Sequence, residues 1–421
     1  MTMSIVRRER RPRVLFVTSH WPLAPAYGAQ QRVLNLARLL ERFSDVSWVI
    51  APSEREEEDT ALRSMNEFDV RAVMRPKRVE SNSGRPFRRL LHEFDRSFME
   101  PDDYVAEESD RAKLLELISE YDAVWIHTIR TAQWFRIDRW PHSVLDIDDL
   151  PSAVYRSTAH GKGSLIRRIK NRRMAWIWER REAFLGYRFD VLAVCSEADK
   201  AAVHNADRTY VIPNGANPLA PRAVKKSEQP IIGFIGNCAF WPNEDGLKWF
   251  IGEVWPLIKR EVPATQLRIV GAESDKHFPT LGPDIAGLGW VADPEEEVAR
   301  WAAMIVPIQM GSGTRVKVAD GFARKCPVVS TAFGAFGYDV VSGRELILAN
   351  TPEEFAAACL HLIRSPAFGE ELANRAYERF LNCWTWDSFQ STVEEAIHKC
   401  LVRAVPVPPS TSSDETLQTP A

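Results

Sequence analysis

Residues 304–331, MIVPIQMGSGTRVKVADGFARKCPVVST, contain the pattern from which the architecture of the whole chain can be inferred. The runs MIVPI and PVVST are typical of short buried strands, while Val316, Ala319 and Phe322 recur at roughly helical spacing. Thr314 is predicted to be the N-cap residue of the helix between the two strands. A strand, a helix and a second strand in this order indicate a parallel sheet with a helix packed on it.

Two cations, Arg315 and Lys317, lie where this helix is predicted to begin. The macrodipole already places partial positive charge at a helix N-terminus, so cations in a first turn are disfavoured there. The small residues before them, Gly311, Ser312 and Gly313, let backbone N–H groups approach a ligand closely. A bound anion would account for both features, and a tight turn with solvated basic residues is the equally weighted alternative.

The same helix offers groups for a phosphate and for a sugar. The guanidinium of Arg315 can bind two phosphate oxygens, and the ammonium of Lys317 acts as a point charge. Asp320 comes about one turn later and could accept a hydrogen bond from a ribose hydroxyl. The stretch is not a Walker A loop, because Gly-Lys-Ser/Thr is absent.

Strand and helix patterns alternate over most of the chain. The predicted strands are VLFVTS, VSWVIAPS, AVWIHT, SVLDID and VLAVCS in the first half, and IIGFIG, LRIVG, MIVPI, PVVST and ELILA in the second. The pattern restarts at Ile231 after a polar run, residues 218–230, that is predicted to be a linker. We therefore predict an α/β fold of two Rossmann-like domains with doubly wound parallel sheets. A hinge is expected near residues 213–215, with the ligand site in the central cleft between the domains.

Composition narrows the function classes. The net charge of −3 provides no global attraction for nucleic acid, so no nucleic-acid partner is expected. The six cysteines form no CxxC pair, which favours reduced thiols and a cytoplasmic protein. The apolar run near the N-terminus is too short for a signal peptide or a spanning helix. Residues 75–104 are predicted to form a long charged loop, and residues 403–421 a disordered tail.

Two further clusters are expected at the cleft. The loop PLAPAYGAQQR places Gly28 and Ala29 just before a helix, where their N–H groups could bind an anion, although a surface turn is the alternative. Three carboxylates, Asp146, Asp148 and Asp149, lie at the end of a predicted strand in the segment SVLDIDDLPSAVYR. Burying them would be costly unless they are paired or functional. The equally weighted alternative to a functional site is an acidic cluster that only caps the following helix or pairs with nearby arginines.

The segment LIRRIKNRRMAWIWERREAF is a basic helical pattern with interleaved isoleucine and tryptophan. Such a helix can lie on an anionic membrane surface, so residues 164–185 are a candidate membrane contact. The favoured alternative is a helix whose basic face is solvated and whose apolar face is buried in the fold. In a third interpretation, the Trp and Arg residues of this helix form the acceptor groove.

Four of these stretches together resemble the retaining GT-B glycosyltransferases of the family-4-like, nucleotide-sugar-dependent type found in bacterial polysaccharide synthesis. They are RVLFVTSHWPLAPAYGAQQRVLNLARLL, VLAVCSEADKAAV with YVIPNGAN, IIGFIGNCAFWPNEDGLKWF, and GSGTRVKVADGFARKCPVVSTAFGAFGYDV. The resemblance implies an acceptor-side domain in residues 1–213 and a donor domain in residues 214–384. A C-terminal helix in residues 385–402 is expected to pack back toward the first domain.

The resemblance also implies residue roles. Arg315 and Lys317 would bind the donor diphosphate, and Asp320 would replace a glutamate that many relatives use for the ribose. Asp148 and His127, which ends the strand AVWIHT, are the candidates that would face the reacting sugar or the acceptor. The remaining donor contacts would come from Gly28, Ala29, Asn237, Gly311, Ser312, Gly313 and Thr314.

The implied activity is transfer of a sugar, with retention, from a nucleoside-diphosphate sugar to a hydroxyl of a saccharide or lipid-linked saccharide. The donor would be a co-substrate, with no cofactor and no metal, and a cytoplasmic enzyme could work peripherally at the inner face of the membrane. Ser312 and Ala29 depart from the usual acid and second glycine of relatives. Two alternatives therefore remain: a non-catalytic GT-B scaffold that binds a nucleotide or partner protein, and a nucleotide-sugar epimerase.

Overall fold

The structure is a computed structural model that describes residues 10–22, 28–52, 67–78, 104–160, 164–203, 205–219, 227, 229–279, 282–310 and 314–402. Gly311, Ser312 and Gly313 lie outside the described residues. So do most of the predicted loop at 75–104 and the predicted tail at 403–421.

The N-terminal half forms a parallel seven-stranded sheet in the order β3-β2-β1-β6-β7-β8-β9. Its strands are β1 Arg13–Thr18, β2 Asp45–Ile50, β3 Val70–Val73, β6 Ala123–His127, β7 Ser143–Ile147, β8 Val191–Val194 and β9 Thr209–Val211. A short antiparallel pair, β4 Lys77–Arg78 and β5 Tyr104–Val105, lies beside it. Most of the strand side chains are buried, as in a sheet covered on both faces.

The helices of this half connect the parallel strands. They are α1 Gly28–Glu41, α2 Glu108–Ser119, α3 Ile129–Trp134, α4 Pro151–His160, α5 Leu165–Glu182, α6 Leu185–Arg188 and α7 Glu197–Ala202, with a 3₁₀ turn at Ala206–Arg208. Helix α1 turns its buried face, including Val33, Leu36 and Leu40, against the same core cluster as strand residue Phe16. That packing fixes the start of α1 at the carboxyl end of β1.

The C-terminal half repeats the architecture with a parallel six-stranded sheet in the order β12-β11-β10-β13-β14-β15. Its strands are β10 Ile231–Ile235, β11 Gln266–Val270, β12 Ile285–Gly287, β13 Ala303–Val306, β14 Val328–Ser330 and β15 Ile347–Leu348. Its helices are α8 Trp241–Trp249, a π-helical segment Phe250–Val254, α9 Trp255–Glu261, α10 Ser274–His277, α11 Glu295–Val298, α12 Val316–Ala323, α13 Pro352–Arg364 and α14 Pro366–Cys383. The predicted α/β fold with two Rossmann-like sheets is confirmed.

The chain then returns to the first sheet. After a 3₁₀ turn at Trp386–Phe389, helix α15, Gln390–Leu401, buries Val393, Ala396 and Ile397 in a cluster that includes β1 and α1 side chains. The two halves are therefore joined both by the segment after β9 and by this final helix. The domain boundaries at residues 213 and 384 stay a prediction.

Three short strands and one helix interruption are not evident from the sequence pattern. Strands β3, β9 and β12 contain only three or four residues each, too few to show a period. Helices α8 and α9 do not form one continuous α-helix, because the π-helical segment lies between them just ahead of Pro256. Proline lacks the N–H that a continuous helix would need at that position, which accounts for the change of hydrogen-bond pattern.

Candidate active site

The starts of two helices, one from each half, face each other at the carboxyl ends of the sheets. A Cβ atom placed on Gly28, the first residue of α1, would lie 3.4 Å from Cγ2 of Val316, the first residue of α12. The structure therefore brings together the two helix N-termini that the sequence predicted on opposite sides of a ligand. Ala29 follows Gly28 in the first turn of α1 and is half-buried.

Helix α12 begins one residue later than predicted. Arg315 occupies the N-cap position, and no side-chain capping bond is formed there. The prediction that Thr314 is the N-cap was wrong, because its Oγ1 accepts a hydrogen bond from the backbone N–H of Asn214 at 2.9 Å instead. Thr314 therefore attaches the start of α12 to the segment between the two halves.

Arg315 points toward the carboxylates of the N-terminal half. Its guanidinium carbon lies 5.6 Å from the ring centre of Phe333. Burial lowers the pKa of Arg315, and the nearby charges of Asp149 and Asp148 act in the opposite direction. The guanidinium is thus placed in the cleft, close to the Asp148–Asp149 pair and away from bulk water.

Lys317 is held by a neutral amide. Its Nζ donates a hydrogen bond of 2.7 Å to Oδ1 of Asn243, whose Nδ2 donates in turn to the backbone carbonyl of Asn237 at 2.7 Å. Burial lowers the pKa of Lys317 to about 7; the charge of Arg315 adds to this, while Cys238 and Asp320 oppose it. An ammonium in these surroundings is stabilised further by any anion that binds beside it.

Asp320 lies one turn along α12 from Lys317, on the same side of the helix. Its carboxylate forms an ion pair of 3.1 Å with Arg324, which also pairs with Glu295. The side chain remains about one-fifth exposed. Asp320 is therefore positioned by Arg324 before any ligand binds.

A buried ionic network underlies the N-terminal side of the cleft. Asp146 and Arg32 are fully buried and joined at 2.5 Å, and His127 Nδ1 donates to Asp146 Oδ2 at 2.8 Å. Burial would raise the pKa of Asp146, but the charge of Arg32 and the hydrogen bond from His127 outweigh it and lower that pKa. The other ring nitrogen of His127, Nε2, is buried and has no hydrogen-bond partner within the described residues.

The two neighbouring carboxylates differ in exposure. Asp148 Oδ1 accepts a hydrogen bond from Asn214 Nδ2 at 3.0 Å, and Arg32 Nε lies 4.0 Å away. Asp149 is exposed. In the described part of the chain, no group of three or more His, Cys, Asp or Glu side chains is arranged to hold a metal ion.

Sequence reasoning missed four residues of this site. His20, which follows β1, lies 5.5 Å from His127 between ring centres. Burial, together with the charges of His127 and Arg130, lowers the pKa of His20 to about 4.

Asn214 connects the buried network to the cleft. It accepts a hydrogen bond from Arg32 Nη1 at 3.1 Å, and it also forms hydrogen bonds with Asp148 and Thr314. The missed set is His20, Arg32, Asn214 and Asn243. His20 could have been found, because it follows a strand at the same sheet edge as His127.

Fold and site together define the class of protein: two facing Rossmann-like domains with a cationic helix start in the cleft, which is the GT-B architecture. Residues 229–365, about a third of the chain, match the family model described as Glycosyl transferases group 1. The resemblance to GT-B glycosyltransferases is thereby confirmed for the fold, and for the family over those residues.

Two solved structures show the likeness over nearly the whole fold. HepE from Anabaena, in complex with UDP and glucose, is 16% identical, with a TM-score of 0.63, over 92% of this chain and 99% of that one. A TarM mutant from S. aureus, in complex with fondaparinux, alpha-GlcNAc-glycerol and UDP, is 10% identical, with a TM-score of 0.64, over 92% and 99%.

One curated relative is similar in sequence. It is a Klebsiella pneumoniae protein described as an uncharacterized 44.6 kDa protein in the cps region, 25% identical over 154 residues. The match covers 34% of this chain and 40% of that protein.

Proposed function

We propose that this protein is a retaining, metal-independent glycosyltransferase that moves a sugar from a nucleoside-diphosphate sugar to an acceptor hydroxyl. The observation that carries the proposal is the pair Arg315 and Lys317 at the start of α12, facing the glycine start of α1 across the cleft. A diphosphate leaving group develops negative charge as the glycosidic bond breaks, and preorganised cations and N–H groups stabilise that charge.

The donor-side roles follow from these positions. Arg315 and Lys317 bind the diphosphate, and the N–H groups of Gly28 and Ala29 approach it from the opposite side. Asp320 accepts from the ribose. The remaining contacts are proposed for Asn237, Thr314 and the residues 311–313 that lie outside the described chain.

The roles at the transferred sugar and at the acceptor fall to residues of the N-terminal half. His127, with Nε2 directed away from Asp146, accepts a hydrogen bond from a hydroxyl of the transferred sugar. Asp148, whose side chain is about one-fifth exposed, is proposed to meet the acceptor hydroxyl. In front-face retention the departing phosphate takes the acceptor proton, so no separate protein base is required.

A nucleotide panel tests the proposal. We expect one of UDP, GDP, ADP and dTDP to raise the thermal unfolding temperature clearly more than the others, because a ligand that binds only the folded state stabilises it. The matching nucleotide sugar should then lose its sugar to an acceptor or, slowly, to water. A protein that binds a nucleotide without any turnover would instead be the non-catalytic scaffold, and conversion of the donor sugar to its epimer would identify an epimerase.

Binding of that nucleotide should weaken as pH rises above about 7. A bound diphosphate raises the pKa of Lys317 from its lowered value near 7. Below pH 7 the ammonium is already charged, whereas above it binding requires uptake of a proton, so Kd should rise by up to about tenfold per pH unit. Calorimetry at pH 6, 7 and 8 measures this, and Lys317→Arg, which stays charged, should show a flatter profile. A wild-type Kd that is constant over this range, after correction for the phosphate's own titration, would contradict the assigned contact.

The acceptor is proposed to be a saccharide or lipid-linked saccharide of a cell-surface polysaccharide or glycoconjugate. No helix among the described residues combines the length and apolarity needed to cross a bilayer. We propose that the enzyme is cytoplasmic and reaches its acceptor peripherally at the inner face of the membrane.

A further inference from the structure

Helices α4 and α5 form an antiparallel hairpin whose base lies next to the cleft. Glu182 accepts from the backbone N–H of Ser152 at 2.8 Å, so the end of α5 caps the start of α4. At the other end, Asn171 Nδ2 donates to Thr158 Oγ1 at 3.0 Å. Ser152 comes four residues after Asp148, so the hairpin extends outward from the acceptor side of the site.

The outer face of α5 exposes large apolar side chains. Leu165 is 69% exposed, Ile166 81%, Ile169 57% and Trp176 46%. Leu165, Ile169 and Trp176 are separated by four and seven residues, which places them along one face of the helix. The opposite face packs on the protein through Ala175 and Trp178, which are buried.

Cations flank this apolar face, and acids are absent from it. Residues 161–178 contain no Asp or Glu, although the whole chain has a net charge of −3. Within the described part of that segment the exposed basic residues are Arg167, Lys170, Arg172 and Arg173. The first three turns of α5 are therefore a local positive surface with an apolar centre.

We propose that the exposed face of α5, residues 165–176, docks on the surface of an anionic lipid bilayer. The apolar side chains enter the headgroup region, and the flanking guanidinium and ammonium groups contact lipid phosphates. The helix then lies flat along the surface, because its exposed apolar residues are spread over about three turns and not confined to its tip. The membrane contact predicted for residues 164–185 is thereby narrowed to residues 165–176, because the residues after Trp176 pack largely inside the fold.

The combination of positive charge and exposed apolar side chains favours a lipid surface over other binding partners. In a symmetric dimer through this face, the same four cations would meet their own copies, and like charges would repel. A nucleic acid would satisfy the cations but leave the isoleucines and the leucine at the centre of the patch exposed to phosphate. An anionic bilayer complements both the charges and the apolar residues.

Vesicle flotation tests the proposal without donor or acceptor, so its outcome is independent of the proposed transfer reaction. We expect the full chain to bind vesicles of phosphatidylcholine with about a third phosphatidylglycerol, and to bind pure phosphatidylcholine at least about tenfold less. The triple variant Leu165→Ser/Ile166→Ser/Ile169→Ser keeps every charge and should lose at least about tenfold in binding. Lys170→Glu/Arg172→Glu should lose at least as much.

Leu381→Ser provides the matched control, because Leu381 is an exposed leucine on α14, far along the chain from the hairpin. It should float like the wild type, and all variants should keep the wild-type unfolding temperature because the changed side chains are exposed. The proposal is overturned if the wild type does not bind anionic vesicles, or if the triple variant binds them as well as the wild type. A concentration-dependent dimer that the triple variant abolishes, without vesicle binding, would assign the face to a second copy instead.

Discussion

Replacing Lys317 or Arg315 by alanine is expected to lower kcat for sugar transfer by about 10²–10³-fold, the range found when one preorganised group that stabilises transition-state charge is removed. Both groups are held in place before the donor binds, Lys317 by Asn243 and Arg315 against Phe333. Initial rates with the nucleotide sugar identified by the nucleotide panel measure the effect.

The controls are cations of the same domain that point into solvent. Lys276 and Arg344 are each about two-thirds exposed, and their alanine variants should keep wild-type rates. Because Lys317 and Arg315 contribute a hydrogen bond and a ring contact but no large apolar core, their variants should keep the wild-type circular dichroism spectrum. Turnover at the wild-type rate in either alanine variant would show that the helix start does not bind the reacting diphosphate.

The fold could be predicted because its strands are apolar on both faces. Runs such as VLFVT and IIGFI are buried almost throughout, so they appear in the sequence as continuous apolar stretches between helical patterns. The predicted cleft also follows from topology, since the carboxyl ends of parallel strands gather loop residues at one edge. That rule predicted that Gly28, Thr314 and His127 would lie at the cleft without any knowledge of their contacts.

The partners of those residues could not be predicted in the same way. Arg32 lies within the helical pattern QQRVLNLARLL, where its position is indistinguishable from that of a surface arginine, yet it is fully buried against Asp146. Asn243 and Lys317 are 74 positions apart and meet because α8 and α12 both start at the same sheet edge. Such pairings depend on how two helices are rotated about their axes, which local periodicity does not specify.

The buried network leads to the largest expected effect on stability. Arg32→Met is expected to lower the free energy of unfolding by about 3–5 kcal/mol, because it leaves the carboxylate of Asp146 buried without its guanidinium partner. Arg32 also donates to the carbonyl of Ile212 and to Asn214, which would lose those hydrogen bonds. Urea unfolding followed by circular dichroism measures the change. The control Arg364→Met, which breaks an exposed pair with Glu261, should leave the free energy of unfolding almost unchanged.

A second substitution separates lost charge from lost packing. If the destabilisation of Arg32→Met comes from an uncompensated charge, then adding Asp146→Asn should recover part of it, because the neutral amide is less costly to bury. If the loss came from packing alone, the second change would add to the damage, since His127 would also lose its carboxylate partner. The same double variant should transfer sugar poorly even where it is folded, because neither Asn214 nor His127 would then be held in its present orientation at the cleft. Recovery of stability without recovery of activity is therefore the result expected of a network that both stabilises the first domain and positions the site.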